Sequence, residues 1–132
     1  MLADNPYYSM IVLYLLLTTS FNILDVRATS FVVGDGDGWN LFTNFTNWTE
    51  GKLFHVGDIL VFNYEKGSHN VMQVNSTAYT SCIKDAYISL SNSGNDSLVL
   101  SEPGEIQYIC GVGDHCENGQ KLTINVVPWM VS

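Results

Sequence analysis

Four residues of types that bind transition metals occur at spacings that suggest one site. Cys110, His115 and Gln120 follow one another in one glycine-rich segment, and His69 lies in a separate turn upstream. A thiolate, two imidazoles and a weak axial oxygen form the trigonal set that is diagnostic of a blue-copper electron-transfer site. Cu(I) favours the soft thiolate and Cu(II) favours imidazole nitrogen, so this set serves both oxidation states. The sequence therefore predicts one copper ion on His69, Cys110 and His115, with Gln120 as the axial ligand.

The axial position is assigned to an amide oxygen rather than a thioether. Such an oxygen is the harder donor, so it predicts a lower reduction potential than a methionine-ligated site has. His55 has no cysteine close to it in sequence and is interpreted as structural. The methionines lie in the N-terminal segment, in the C-terminal tail or in a predicted strand, and so offer no rival ligand: Met1, Met10, Met130 and Met72.

Three cysteines leave one thiol outside any intramolecular disulfide. On arithmetic alone, any two of them could pair. If Cys110 is the metal thiolate, Cys82 and Cys116 remain to form a disulfide, which closes a loop of about 35 residues worth roughly 4 kcal/mol in the chain-entropy model. That bridge would also fix the residue next to His115. The alternative is that Cys110 is a buried free thiol at the end of a strand.

The composition is that of one folded domain. Apolar residues make up 46% of the 132 residues and charged residues 14%, which excludes disorder by composition. A net charge of −8 argues against nucleic acid and anionic membrane surfaces as partners, because both require clustered lysine and arginine.

Residues 1–28 resemble a signal peptide, followed by a domain at 29–128 and a tail at 129–132. The apolar stretch 10–24 is too short for a comfortable membrane span, and Val26 and Ala28 place small residues before a cut after Ala28. The first residues carry Asp4 and no lysine or arginine, so an uncleaved signal anchor is the alternative. After removal of the leader, no stable membrane span is expected.

Four N-x-[ST] sequons also indicate secretion, in polar and turn-rich sequence. Asn44 and Asn47 are close enough to hinder double occupancy. The predicted glycosylation sites are Asn44, Asn47, Asn75 and Asn95.

Short β-rich runs alternate with clusters of Gly, Pro, Asn and Asp, which predicts an all-β sandwich or barrel. Leu122, Ile124 and Val126 alternate with polar residues, as in a strand with one buried face. A short helix is expected within 77–84. The predicted strands are 30–33, 59–64, 70–74, 97–100, 106–110 and 122–127.

From Phe31 to about Val127 the chain resembles the plant phytocyanins. The resemblance rests on Phe31-Val-Val-Gly-Asp35 with Gly38-Trp39, Phe54-His-Val-Gly-Asp58, Leu60-Val-Phe62-Asn-Tyr64, His69-Asn-Val71, Tyr108-Ile-Cys-Gly-Val-Gly-Asp-His-Cys116 and Gly119-Gln-Lys121. It implies a cupredoxin-like Greek-key β-sandwich of about seven to eight strands, a Cys82–Cys116 disulfide and type 1 copper on the four predicted ligands. Gln120 in place of methionine makes the chain similar to the stellacyanin branch.

The resemblance implies a secreted, monomeric carrier of single electrons in the apoplast or cell wall, and not an enzyme. Its redox partner, a protein or a small reductant, is not identified. Many relatives have a Pro- and Ser-rich stalk and a tail for a GPI anchor, which are not seen before Ser132, so anchoring is not carried over unless the sequence is truncated there. Two alternatives remain: a cell-surface interaction module with incidental copper, and a hydrolase that uses Cys110 and His115 as nucleophile and base.

Overall fold

The computed structural model describes residues 4–18 and 27–128. Within these ranges the helices are α1 (Pro6–Thr18), α2 (Phe45–Thr49) and α3 (Ser76–Ser81), with a 3₁₀ turn at Asp35–Asp37. The strands are β1 (Ser30–Val32), β2 (Phe54–His55), β3 (Ile59–Asn63), β4 (Val71–Val74), β5 (Tyr87–Ser91), β6 (Asn95–Val99), β7 (Gly104–Ile109) and β8 (Lys121–Val127).

The strands form two sheets. The smaller sheet has the order β1-β3-β6, and the larger has the order β2-β8-β7-β4-β5. Strand β1 pairs in parallel with β3 and β2 pairs in parallel with β8, while the other pairings are antiparallel. The predicted all-β sandwich with about seven to eight strands and one disulfide is confirmed.

An aromatic cluster fills the space between the sheets. Trp39 is almost fully buried, and its ring centroid lies 4.7 Å from that of Phe45 and 5.2 Å from that of Phe62. Strand β8 turns Leu122, Ile124 and Val126 into this core and leaves its intervening residues exposed, as its sequence pattern predicts. The core therefore fixes which face of β8 is buried, and with it the end of the strand that leads to Gln120.

A second, smaller cluster covers the outer face of the larger sheet. Met72 and Ile109 meet Ala78 of α3 and Cys116 there, so β7 is buried on both faces near its end. The segment just before Cys110 is thus held by packing on two sides. Rigid support of this kind is what a ligand-bearing strand end requires.

The predicted leader is described only in part. Residues 6–18 form α1, and the side chains of residues 6–17 are exposed, whereas residues 19–26, including Val26 of the predicted cleavage site, lie outside the described residues. The tail 129–132 also lies outside them. Among the described residues there is no helix of the length and apolarity that a membrane span needs.

Candidate metal centre

Three of the predicted ligands meet at one end of the sandwich. The Cys110 Sγ lies 3.5 Å from the His115 Nδ1 and 3.9 Å from the His69 Nδ1. The candidate donor atoms of the three residues all lie within 4.8 Å of one another, and the two imidazole centroids are 4.9 Å apart. One sulfur and two ring nitrogens therefore surround a space that a single metal ion can fill.

The loop between β7 and β8 brings Cys110, His115 and Gln120 together through its own backbone. The Cys110 N–H donates to the Gln120 carbonyl at 3.0 Å, and the Gln120 N–H donates to the His115 carbonyl at 2.9 Å. The His115 N–H in turn donates to the Val112 carbonyl at 3.1 Å. Because each ligand residue is bonded to another part of the same loop, the spacing seen in the sequence becomes a compact, fixed arrangement.

His69 comes from the other side of the site, and Asn70 joins its segment to the Cys110 loop. The Asn70 Oδ1 accepts from the Gly111 N–H at 2.6 Å, and the Asn70 carbonyl accepts from the Trp39 Nε1–H at 2.9 Å. A side chain at Gly111 would collide with the Met72 thioether, so glycine lets the two segments approach. Asn70 thus connects two ligand segments and the core, a role that sequence reasoning did not assign to it.

The disulfide is formed as expected, between Cys82 and Cys116, with Cα atoms 5.8 Å apart. Cys82 ends α3, and Cys116 directly follows His115 in the ligand loop. Cys110 is the free cysteine among the described residues and is fully buried. The crosslink therefore anchors the ligand loop to the sheet-covering helix without consuming the thiol that faces the imidazoles.

Gln120 is fully buried, and neither atom of its side-chain amide has a hydrogen-bond partner. The Gln120 amide lies close enough to the His69 ring to raise its pKa, against the larger lowering by burial, although the two groups do not form a hydrogen bond. A buried polar group without a partner costs about 1–3 kcal/mol. An oxygen ligand position that is completed by a metal is one physical reason for keeping such a group beside the donor atoms.

The environment sets the protonation of the donors. Burial lowers the pKa of His69, and the neighbouring His115 lowers it further, so the His69 ring is neutral near pH 7 and able to bind a metal. Burial raises the pKa of the Cys110 thiol, an effect opposed by the backbone amides of Asn70 and Val112. A metal must therefore displace the thiol proton, after which those amides stabilise the thiolate.

Other candidates from the sequence lie elsewhere. His55 is beside Asp58, whose Oδ2 accepts from the His55 N–H at 2.8 Å and lies 3.8 Å from its Nδ1. Met72 packs with Ile109 in the second cluster and is not among the residues whose donor atoms converge. The four sequon asparagines are all exposed: Asn44, Asn47, Asn75 and Asn95.

Comparisons with known proteins agree with this geometry. The plastocyanin-like domain family matches residues 39–120, which is more than half of the chain. Blue copper protein 1b of Medicago truncatula is 40% identical over 117 residues, a match that spans 86% of this chain and 72% of that protein. A blue copper protein of Petunia hybrida is 46% identical over 99 residues, but the match spans 74% of this chain and only 37% of that protein.

The fold has a solved counterpart. The structure of cucumber stellacyanin with Cu²⁺ at pH 7.0 superposes with a TM-score of 0.72 and 33% identity, covering 79% of this chain and all of that one. Fold and site together define a cupredoxin-type β-sandwich with a His₂Cys centre. The chain belongs to the plastocyanin-like family and, within it, to the phytocyanins on their stellacyanin-like branch.

Proposed function

We propose that this protein is a type 1 copper protein that carries single electrons. His69, Cys110 and His115 would hold one copper ion, with the Gln120 amide oxygen as axial ligand. The observation that carries the proposal is the convergence of one sulfur and one ring nitrogen from each of two histidines within 4.8 Å, beside a buried amide that lacks a partner. That donor set fits copper, because it pairs a soft thiolate with imidazoles and one weak axial oxygen.

The bound ion would supply a one-electron couple between Cu(II) and Cu(I). The protein's part is to keep the ligands still. Cys110 follows a strand packed on both faces, Asn70 ties the His69 segment to Gly111, and the disulfide holds the residue after His115. Ligands fixed from three directions move little when the metal changes charge, which keeps the reorganisation cost of electron transfer low.

Burial divides the site into an inner and an outer side. Cys110 and Gln120 have no exposed surface, which keeps bulk water from the sulfur and the amide. His69 and His115 are only half-buried, so their rings form the side of the site nearest the solvent. An electron would enter or leave on this outer side. The burial of Cys110 argues against the hydrolase alternative, because a nucleophile must be reachable by its substrate.

The protein would act outside the cell and take its electron from a partner. Disulfides persist in oxidising compartments, and the Cys82–Cys116 bridge is of this structural kind. The exposure of all four sequons supports passage through a glycosylating pathway, with residues 1–28 as its signal peptide. We further propose a monomeric carrier without catalytic activity, whose donor and acceptor are a protein or a small reductant.

Voltammetry tests the proposed function. The copper-loaded protein should give a reversible wave with one electron per molecule, while the zinc-loaded protein, whose metal has no redox chemistry, should give none. The zinc form is a matched control because it fills the same ligands. A copper-loaded protein that binds the ion but shows no reversible wave would contradict an electron carrier and favour the interaction module.

A further inference from the structure

Phe42 is the most conspicuous apolar residue that the proposed function does not use. Its side chain is 96% exposed, although the aromatic residues nearby, such as Phe45 at 2%, are buried. A single exposed apolar side chain is common on protein surfaces, but this ring gains nothing from the fold and offers its apolar face to a ligand. Phe42 is among the residues that line a surface cavity of about 390 Å³.

The lining of the same cavity includes a glycosylation sequon. Asn44 and Thr46, the first and third residues of that sequon, line the cavity with Phe42 and Thr43. Tyr79 and Lys121 also line it. A sugar attached to Asn44 would therefore begin at the rim of a cavity with an aromatic ring two residues before the attachment point.

In the folded chain the Asn44 side chain is held through its oxygen, as that of Asn75 is, which leaves the amide nitrogen to carry a sugar. The Asn44 Oδ1 accepts from the Asn47 N–H at 3.1 Å and caps helix α2, so the Oδ1 is held while the Nδ2 remains for a bond to carbon. The backbone before it is also held. The Asn40 Oδ1 accepts from the Phe42 N–H at 2.6 Å and from the Thr43 N–H at 3.0 Å, which fixes the ring's starting position.

The neighbouring sequon provides a comparison within the same chain. Asn47 also has a phenylalanine two residues before it, but that residue is Phe45, which is buried against Trp39. The residues two before Asn75 and Asn95 are Gln73 and Ser93, which have no aromatic ring. Of the four sequons, that of Asn44 alone has an exposed aromatic ring at this position.

We infer that Asn44 is the occupied site of the Asn44–Asn47 pair and that the first sugar of its N-glycan packs on the Phe42 ring in this cavity. The inference rests on the secretion proposed above. The sugar donor is an oligosaccharide linked to a lipid diphosphate. In the transfer, the Asn44 Nδ2 forms a bond to the anomeric carbon of the oligosaccharide and loses one proton. The bond between that carbon and the lipid diphosphate breaks, and the diphosphate leaves with the lipid. The apolar face of the sugar ring then covers the exposed Phe42 ring. The Lys121 Nζ lies 4.4 Å from the centroid of the Tyr79 ring, and this pair faces the other side of the sugar.

Site occupancy is the first test. The full chain is expressed in glycosylating eukaryotic cells behind an added signal peptide, so that entry into the pathway does not depend on residues 1–28. Enzymatic release of N-glycans in ¹⁸O water marks each occupied asparagine for peptide mass spectrometry. We expect the mark at Asn44 and not at Asn47. An unmarked Asn44, or a mark mainly at Asn47, would overturn the inference.

The packing on Phe42 is tested by a cycle of variants. Thr46→Ala removes the Asn44 sequon but keeps the helix cap, whereas Asn44→Gln would also disturb the cap. Asn47→Gln removes the Asn47 sequon by changing an exposed side chain and is the matched control, because it keeps the Thr49 hydroxyl that donates to the Thr46 carbonyl at 2.7 Å. Glycosylated wild type and the Asn47→Gln variant should melt about 4 °C above the Thr46→Ala variant, as expected for an aromatic contact in a domain of this size.

In a Phe42→Ala background, the gain from the glycan should disappear. A gain of the same size without Phe42, or no gain in the wild type, would contradict the packing. Phe42→Ala should leave the unglycosylated fold unchanged, because the side chain is exposed. The blue absorption of each copper-loaded sample is read separately. Its absence would refute the copper proposal, while the occupancy and melting results would still decide the glycan proposal.

Discussion

At the scale of single residues, Gln120 is the proposed ligand with the most distinctive chemistry. We expect Gln120→Met to raise the Cu(II)/Cu(I) reduction potential while the protein stays blue, since a thioether stabilises Cu(II) less than an amide oxygen does. Met should fit, because the volumes are similar and the buried amide has no hydrogen-bond partner to lose. Cyclic voltammetry of both proteins at one pH decides the matter. An unchanged or lower potential in the variant would remove Gln120 from the ligand set.

Asn70 offers a second test at this scale. We expect Asn70→Ala to lower the free energy of unfolding by about 1–3 kcal/mol and to loosen copper binding, because the Gly111 N–H loses its acceptor. Chemical denaturation and a copper competition assay measure the two effects. Asn118→Ala is the matched control, as its side chain bonds only within the ligand loop, to the Asp114 carbonyl. Equal effects of both substitutions on copper retention would contradict a link between the two ligand segments.

The sequence was sufficient to predict three candidate ligands that the structure brings together, and insufficient to predict the residue that connects their segments. Cys110, His115 and Gln120 lie in one segment, so their spacing could be read directly, and His69 was found as the remaining histidine in a turn. The role of Asn70 depends on a contact across 41 residues of sequence, which no local pattern encodes. The exposure of Phe42 was equally invisible, because Phe42 and Phe45 look alike in the sequence and differ only in burial.

At the scale of elements, the disulfide joins α3 to the ligand loop. We expect the double variant Cys82→Ala/Cys116→Ala to lose about 4 kcal/mol of stability, since a loop of about 35 residues is no longer constrained in the unfolded chain. In a melt this is a drop on the order of 15 °C. Changing both residues together avoids a mispaired Cys110. A melting temperature close to that of the wild type would show that the crosslink does not stabilise the fold.

A strand is predictable from its sequence pattern when one of its faces is buried and the other is exposed. Strand β8 was predictable because one of its faces is buried and the other exposed, whereas β5 was missed because it is an edge strand with most residues exposed. Strand β2 has two residues, too few for any period. The helix expected within 77–84 is present as α3 at Ser76–Ser81, capped by the Asn75 side chain. Helix α2 was missed, as its five residues are too few to show a helical period.

At the scale of the whole molecule, we expect Tyr108 and Tyr64 to make stability depend on pH in alkali. Burial raises the pKa of Tyr108 to about 12, and burial with a hydrogen bond to Asp96 raises that of Tyr64 to about 12. The unfolded chain releases these protons near pH 10, so the stabilisation is fully present below that pH. It is then lost as the pH rises towards 12.

Denaturation measured from pH 9 to 12 should therefore show a falling free energy of unfolding. Tyr108→Phe should flatten the fall, while Tyr87→Phe, which changes a half-exposed ring at the sheet edge, should leave it unchanged. If the Tyr108→Phe variant falls as steeply as the wild type, the buried hydroxyl is not the cause.

The central claim is that Cys110 provides the thiolate of a copper site, and a Cu(II) titration of the metal-free protein tests it most directly. In the wild type, an intense blue absorption should grow and saturate at one copper per chain. The Cys110→Ser variant should stay folded and show no blue band, because only the thiolate gives this absorption. Circular dichroism of the variant confirms the fold. A wild type that stays colourless with copper, or a Cys110→Ser variant that turns blue, would contradict the account.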